Sequence, residues 1–317
     1  MAETEHYIRD DVRGFLQMLE QLGRPGVEEL PLAEGRQSFA VLGQMAEAEA
    51  RELEVVRNLA CPGPTGDIPL RLYDRRESRE AGPVILFFHG GGFVVGDLDI
   101  YHSLCTEIAW QMDLPLVSVD YRLAPEAPFP AAPDDCEAAA RWVASSPAEL
   151  ARPCTGLIPM GDSAGGNLTI VTTNQLCASP ADAPVLFQVP IYPVADDMSQ
   201  HESFHTFAEG YLLTRASMAW FTQQYAGDAS DPRHTPMVAD CANTPPTVLC
   251  TAGLDPLRDS GRAYAAHLVR QRTDVVYLEF AGTIHGFANL RKALPSAQGD
   301  IDALIAAMKL MAERHAR

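Results

Sequence analysis

The apolar positions of this chain follow two rhythms. Ile8, Val12, Phe15, Leu19 and Leu22 are spaced four, three, four and three residues apart, the pattern of one helix face. Gly23 and Pro25 end that helix. A weaker helical pattern covers about 39–52. Two short strands are expected at 53–59 and 68–73. Between them lies Pro62-Gly63-Pro64-Thr65-Gly66, which predicts an antiparallel start to a sheet. Pro83 to Phe88 is continuously apolar, as in a strand buried on both faces.

From there strands and helices alternate. Strands are expected at 116–120, 157–160, 185–191, 247–251 and 275–280. Helices fall at about 101–112, 134–144 (with Asp134 as a cap), 164 onward, 259–270 and 300–312. Repeated strand-then-helix order predicts an α/β fold: a mostly parallel sheet of eight strands with helices on both faces. One interval breaks the alternation. Between Val194 and Pro246 no strand pattern appears, while Phe204, Phe207, Tyr211, Met218, Trp220, Phe221 and Tyr225 add apolar and aromatic mass. A helical insertion over the carboxyl edge of the sheet fits, since ligands bind at that edge in open α/β sheets. Most of its aromatics are expected to pack between cap and sheet. The chain then divides into N-terminal cap helices (1–50), the first part of the core (51–194), a cap insertion (195–245) and the second part of the core (246–317).

Composition narrows the function. The 317 residues suit one α/β unit, although they exceed the usual single-domain length. A net charge of −18 opposes binding to nucleic acid or anionic lipid, which needs basic patches to displace counterions. No apolar run approaches the roughly 20 residues needed to cross a bilayer. The start, Met1-Ala2-Glu3-Thr4-Glu5, is acidic and lacks the apolar core of a secretory signal, so a cytoplasmic protein is expected. The cysteines (Cys61, Cys105, Cys136, Cys154, Cys177, Cys241 and Cys250) are odd in number and form no C-x-x-C. Buried free thiols are expected, and no zinc site built from them.

The chemistry centres on Gly161-Asp162-Ser163-Ala164-Gly165-Gly166. A G-x-S-x-G between a strand and a helix predicts a nucleophile elbow, with small residues where backbone meets backbone. A serine needs a base, an acid to orient that base, and donors for the developing oxyanion. His89-Gly90-Gly91-Gly92 follows a buried strand and can offer amide N–H groups, completed by that of Ala164. In this architecture acid and then histidine follow the serine. Asp255 and His285 each stand just after an expected strand. Asp259 is the rival acid, better read as a helix N-cap; Glu279 lies inside a strand. His102, His234 and His267 are expected on the surface or in packing. His201-Glu202-Ser203-Phe204-His205 matches the H-E-x-x-H zinc signature, but it lacks a third ligand at a customary spacing and falls in the expected cap.

Several stretches together resemble the hormone-sensitive-lipase-like esterases of the α/β-hydrolase fold. These are His89 to Phe93, Asp120-Tyr121-Arg122-Leu123-Ala124-Pro125-Glu126, Gly161 to Gly166, Asp255-Pro256-Leu257-Arg258-Asp259 and His285-Gly286-Phe287. The resemblance covers roughly 55–315, including Glu209 to Thr214 in the cap. It implies Ser163 as nucleophile, His285 as base and Asp255 as acid. Gly91, Gly92 and Ala164 would be the oxyanion donors, supported by His89, Gly90 and Asp162. It also implies a cofactor-independent serine carboxylesterase without a metal, acting on small esters with short to medium acyl chains. Members are often homodimers. Rival expectations are an amidase or aryl-amide deacetylase with the same residues, a zinc hydrolase, and a non-catalytic small-molecule binder on the same fold. Receptor relatives of that last kind lose the histidine that this chain keeps at His285.

Overall fold

The computed structural model describes residues 6–239 and 243–315. Cys241 lies outside them. A hairpin of β1 (Val55–Pro62) and β2 (Asp67–Asp74) opens the sheet, turning through the Pro/Gly-rich segment. Then come β3 (Gly82–Phe88), β4 (Leu116–Val119), β5 (Cys154–Asp162), β6 (Val189–Ile191), β7 (Thr247–Leu254) and β8 (Val275–Ile284). The order across the sheet is β1-β2-β4-β3-β5-β6-β7-β8. β2 runs antiparallel to β1 and β4, and the other pairs are parallel.

The helices are α1 (Asp10–Leu22), α2 (Leu32–Ala46), α3 (His102–Met112), α4 (Ala131–Ala144), α5 (Ala164–Ala178), α6 (Glu202–Thr206), α7 (Arg215–Tyr225), α8 (Arg258–Arg270) and α9 (Ser296–His315). β3 shows why its sequence is unbroken by polar residues. Successive side chains of a strand point to opposite faces. Ile85 and Phe87 pack with Phe15 of α1, Leu104 of α3 and Met308 of α9. Val84, Leu86 and Phe88 pack with Val143 of α4 and Leu168 of α5. Both faces are covered, so neither tolerates a polar side chain.

Several helix starts differ from expectation. α2 begins at Leu32 rather than near 39 and stops at Ala46, because Gly35 and Gly43 stand on its buried face. A side chain at Gly43 would meet Ile100 at 3.1 Å, so close packing replaces the apolar residues a pattern search needs. α4 starts at Ala131 with Pro130 at its N-cap. Asp134 is therefore not the cap; it pairs with Arg233 at 3.2 Å. α8 starts at Arg258, so Asp259 is not an N-cap either.

Among its described residues the 195–245 segment is helical, with α6, α7 and short 3-10 turns, and contains no strand. Residues 194 and 234 meet at one side chain: Asn167 Nδ2 donates to the carbonyls of Val194 (2.8 Å) and His234 (3.0 Å). The N-terminal segment is tied down separately. Arg9 pairs with Asp300 at 2.6 Å, and Arg36 donates to the carbonyls of Val94 and Ala124 at 2.9 and 3.0 Å. Buried Arg291 pairs with Glu47 at the end of α2. Cys61, Cys105, Cys136, Cys154 and Cys250 are buried free thiols.

Candidate active site

β5 ends at Asp162 and α5 begins at Ala164, leaving one residue for the turn. That residue, Ser163, has φ 56° and ψ −117°. A non-glycine residue there costs about 1–3 kcal/mol and persists only where its surroundings hold it. The Ser163 N–H donates to Ile191 at 2.9 Å. The backbone of β3 presses beneath the turn. A Cβ at Gly165 would lie 2.0 Å from the Phe88 carbonyl oxygen, and one at Gly161 only 2.4 Å from it. Glycine is thus required at both positions for the serine to stand clear.

His285 follows β8, and Asp255 follows β7. His285 Nε2 lies 2.8 Å from Ser163 Oγ, and His285 Nδ1 lies 2.7 Å from Asp255 Oδ2. Asp255 is fully buried, and its Oδ1 accepts the Leu257 N–H at 2.8 Å. Both carboxylate oxygens therefore have fixed partners. The rival acids face elsewhere. Asp259 accepts the Ser203 N–H at 3.0 Å and pairs with Arg258 and Arg262, both at 2.9 Å. Glu279 pairs with Arg262 at 2.6 Å.

The glycine loop lies beside the serine. Gly91 has φ 114° and Gly92 φ 58°, backbone that side chains disfavour. Ala164 is the first residue of α5, so its N–H has no acceptor within the helix. His89 is buried under the loop, with Nδ1 at 2.8 Å from the Gly90 carbonyl and its ring stacked on Tyr121 at 4.3 Å. Burial pushes its imidazole down to about 4, so it is neutral near pH 7. Asp162 ties the elbow to the loop. Its Oδ1 accepts the Gly90 N–H at 2.8 Å, and its Oδ2 accepts the hydroxyls of Tyr101 (3.1 Å) and Tyr192 (3.3 Å). Burial pushes this carboxyl up to about 6, against the opposing pull of His285 and these hydrogen bonds. The two tyrosines were not singled out in the sequence. They reach Asp162 from the N-cap of α3 and from just after β6, and no local pattern marks such contacts.

Ser163 and His285 open into a cavity of about 1220 Å³. Leu16 and Phe39 of the N-terminal helices line it, as do Leu212, Met218 and Phe221 of the 195–245 segment. The H-E-x-x-H histidines have other partners. His201 precedes α6 and pairs with Asp196 at 2.8 Å, while His205 Nε2 lies 3.2 Å from the Ser199 carbonyl. Among the described residues no three His, Cys, Asp or Glu side chains are grouped to hold a metal ion. His102 and His234 pack against Tyr73 and Tyr225.

A sheet of this order with a serine on a strand-to-helix turn defines an α/β-hydrolase. The chain belongs to the hormone-sensitive-lipase-like esterases of that fold: the profile of a family described by its alpha/beta hydrolase fold matches residues 85–289. It is 33% identical over 314 residues to an ethyl acetate hydrolase of Pseudomonas putida, covering 95% of this chain and 98% of that protein. It is 38% identical over 266 residues to the carboxylic ester hydrolase LipN of Mycobacterium tuberculosis, covering 80% and 70%. An ester hydrolase from the Lake Arreo metagenome, solved with a bipyridine phosphonate derivative, superposes with a TM-score of 0.88 at 34% identity, covering 95% of this chain and 98% of that one. The chain is accordingly a carboxylic ester hydrolase. Among the described residues no helix is long and apolar enough to cross a membrane.

Proposed function

We propose that the chain hydrolyses carboxylic esters of short to medium acyl length through an acyl-enzyme on Ser163. One observation carries this reading: the path from Asp255 through His285 to Ser163 Oγ, in steps of 2.7 and 2.8 Å, ends in the large cavity. Oγ attacks the ester carbonyl as His285 Nε2 takes its proton. Asp255 holds the imidazole in the tautomer that leaves Nε2 free to accept, then stabilises the imidazolium. The N–H groups of Gly91, Gly92 and Ala164 receive the developing oxyanion, and losing one such donor costs about 3–4 kcal/mol. The tetrahedral intermediate collapses, and the leaving alcohol takes the proton from His285. Water then repeats the sequence on the acyl group, releasing the acid and restoring Ser163.

The chain-length assignment draws support from the helices that close over the cavity and from the likeness to an ethyl acetate hydrolase. The buried thiols support the cytosolic placement expected from the sequence. The test is Ser163→Ala on p-nitrophenyl esters from acetate to palmitate. The expected loss is about 10⁴-fold or more in kcat. Retained turnover rejects Ser163 as nucleophile, and fastest wild-type turnover on palmitate rejects the chain-length assignment.

A further inference from the structure

Resting on the acyl-enzyme reading, we infer that Phe221 bounds the acyl side of the site and sets how much branching is accepted beside the ester carbonyl. Phe221 lies on α7, and its ring covers Gly92. A Cβ at Gly92 would fall 2.3, 2.4 and 2.7 Å from three ring carbons, so the ring sits flush against the glycine backbone. The ring lines the same cavity as Gly92, Ser163 and His285, so it bounds the space beside a substrate held by the Gly92 N–H. It is not free to swing with the helix. One turn further along α7, Tyr225 stacks flat on Phe93, the residue after Gly92, at 3.8 Å and 7°. Trp220 packs edge-on against Phe221 at 5.2 Å.

The chemistry fixes which substituent meets the ring. The leaving alcohol must take its proton from His285 Nε2 and so lies on the His285 side. His285 packs against Tyr192 at 4.6 Å, and Tyr192 belongs with Phe287 to the core under α3 and α9. Phe221, Phe93 and Tyr225 belong to the opposite core, under α4 and α5. The acyl group, directed away from His285, points to Phe221. A straight chain can leave past the ring edge, whereas a quaternary carbon next to the carbonyl places a methyl group against it.

The experiment compares kcat/KM for p-nitrophenyl acetate, butyrate and trimethylacetate in wild type, Phe221→Leu and Phe221→Ala. One hydrophobic group's worth of space changes such ratios by roughly 10–200-fold. Phe221→Ala is expected to raise the trimethylacetate-to-acetate ratio by about 10-fold or more, with Phe221→Leu intermediate. Ethyl and tert-butyl acetate, which vary only the alcohol, should keep their wild-type ratio. An unchanged acyl ratio overturns the inference, as does a gain confined to tert-butyl acetate. If the alanine variant does not fold, Phe221→Leu reads the same ratios. Ser163→Ala tests the nucleophile independently: its outcome decides the acyl-enzyme reading, and the ratios decide Phe221.

Discussion

Replacing Asp255 by asparagine isolates orientation from charge and shape, because the structure dictates how the new amide must lie. Oδ1 accepts the Leu257 N–H at 2.8 Å, and Oδ2 faces His285 Nδ1 at 2.7 Å. An NH₂ group cannot accept from Leu257, so the amide oxygen takes the Oδ1 place and the NH₂ faces the imidazole. His285 must then accept at Nδ1 and carry its proton on Nε2, which points at Ser163 Oγ. Nε2 then donates where it should accept, so the Ser163 hydroxyl proton has no base to take it. This wrong-tautomer effect costs about 10⁴-fold in kcat in serine proteases, about 5.4 kcal/mol at about 1.36 kcal/mol per factor of ten. The assay is steady-state kcat on p-nitrophenyl butyrate, with a thermal melt to show that the variant is folded. Asp259→Asn is the control, because Asp259 binds Ser203 and two arginines instead of the histidine. The reasoning fails if Asp255→Asn keeps more than about a tenth of wild-type kcat, three powers of ten above expectation. It also fails if Asp259→Asn loses as much.

The packing under the elbow predicts that Gly165→Ala forces β3 and α5 apart and costs about 1–3 kcal/mol or more, read as a lower urea midpoint. His89 and Asp162 predict opposing pH slopes. His89 falls from 6.5 to about 4 on folding, so the unfolded chain holds more protons between those values and stability drops on acidification through them. Asp162 rises from 3.8 to about 6, so the folded chain holds more protons there and stability drops as pH rises through that window. Asp162→Asn removes only the second slope; its melting temperature should fall more steeply than wild type between pH 6 and pH 4, and parallel curves would refute this. Arg291→Met leaves Glu47 buried without its partner, a loss of about 3–5 kcal/mol in denaturant titrations.

The parallel sheet was legible because its central strands are buried on both faces and read as apolar runs, β3 most clearly, while the edge strand β8 is half-exposed but still begins with an apolar run. Ser163, Asp255 and His285 could be nominated because each follows such a run, at the same edge. The misses have two physical causes. Where packing relies on small residues, as at Gly35 and Gly43 of α2, the periodic signal vanishes although the helix is well packed. Asp134 and Asp259 are good caps by type, but Asp134 is engaged by the distant Arg233, and Asp259 accepts from Ser203, 56 residues away, as well as pairing with its neighbours Arg258 and Arg262. The hydroxyls on Asp162 come from Tyr101 and Tyr192, 61 and 30 residues away, and the ring over Gly92 comes from α7. Contacts like these are set by tertiary approach, and local sequence does not encode them.

The single amide of Asn167 has a further consequence, for how such a chain can change over time. Because one nitrogen reaches both the Val194 and the His234 carbonyls, the segment between them leaves and rejoins the core at nearly the same point. A loop whose ends already meet can grow cheaply, since doubling its length costs only about 0.6 kcal/mol in closure entropy. Asn167 sits one turn after Ser163, so this doorway is fixed relative to the Ser163 hydroxyl. The stretch from 195 to 233 can therefore be rewritten, lengthened or exchanged for another sequence while Ser163, His285 and Asp255 stay where they are.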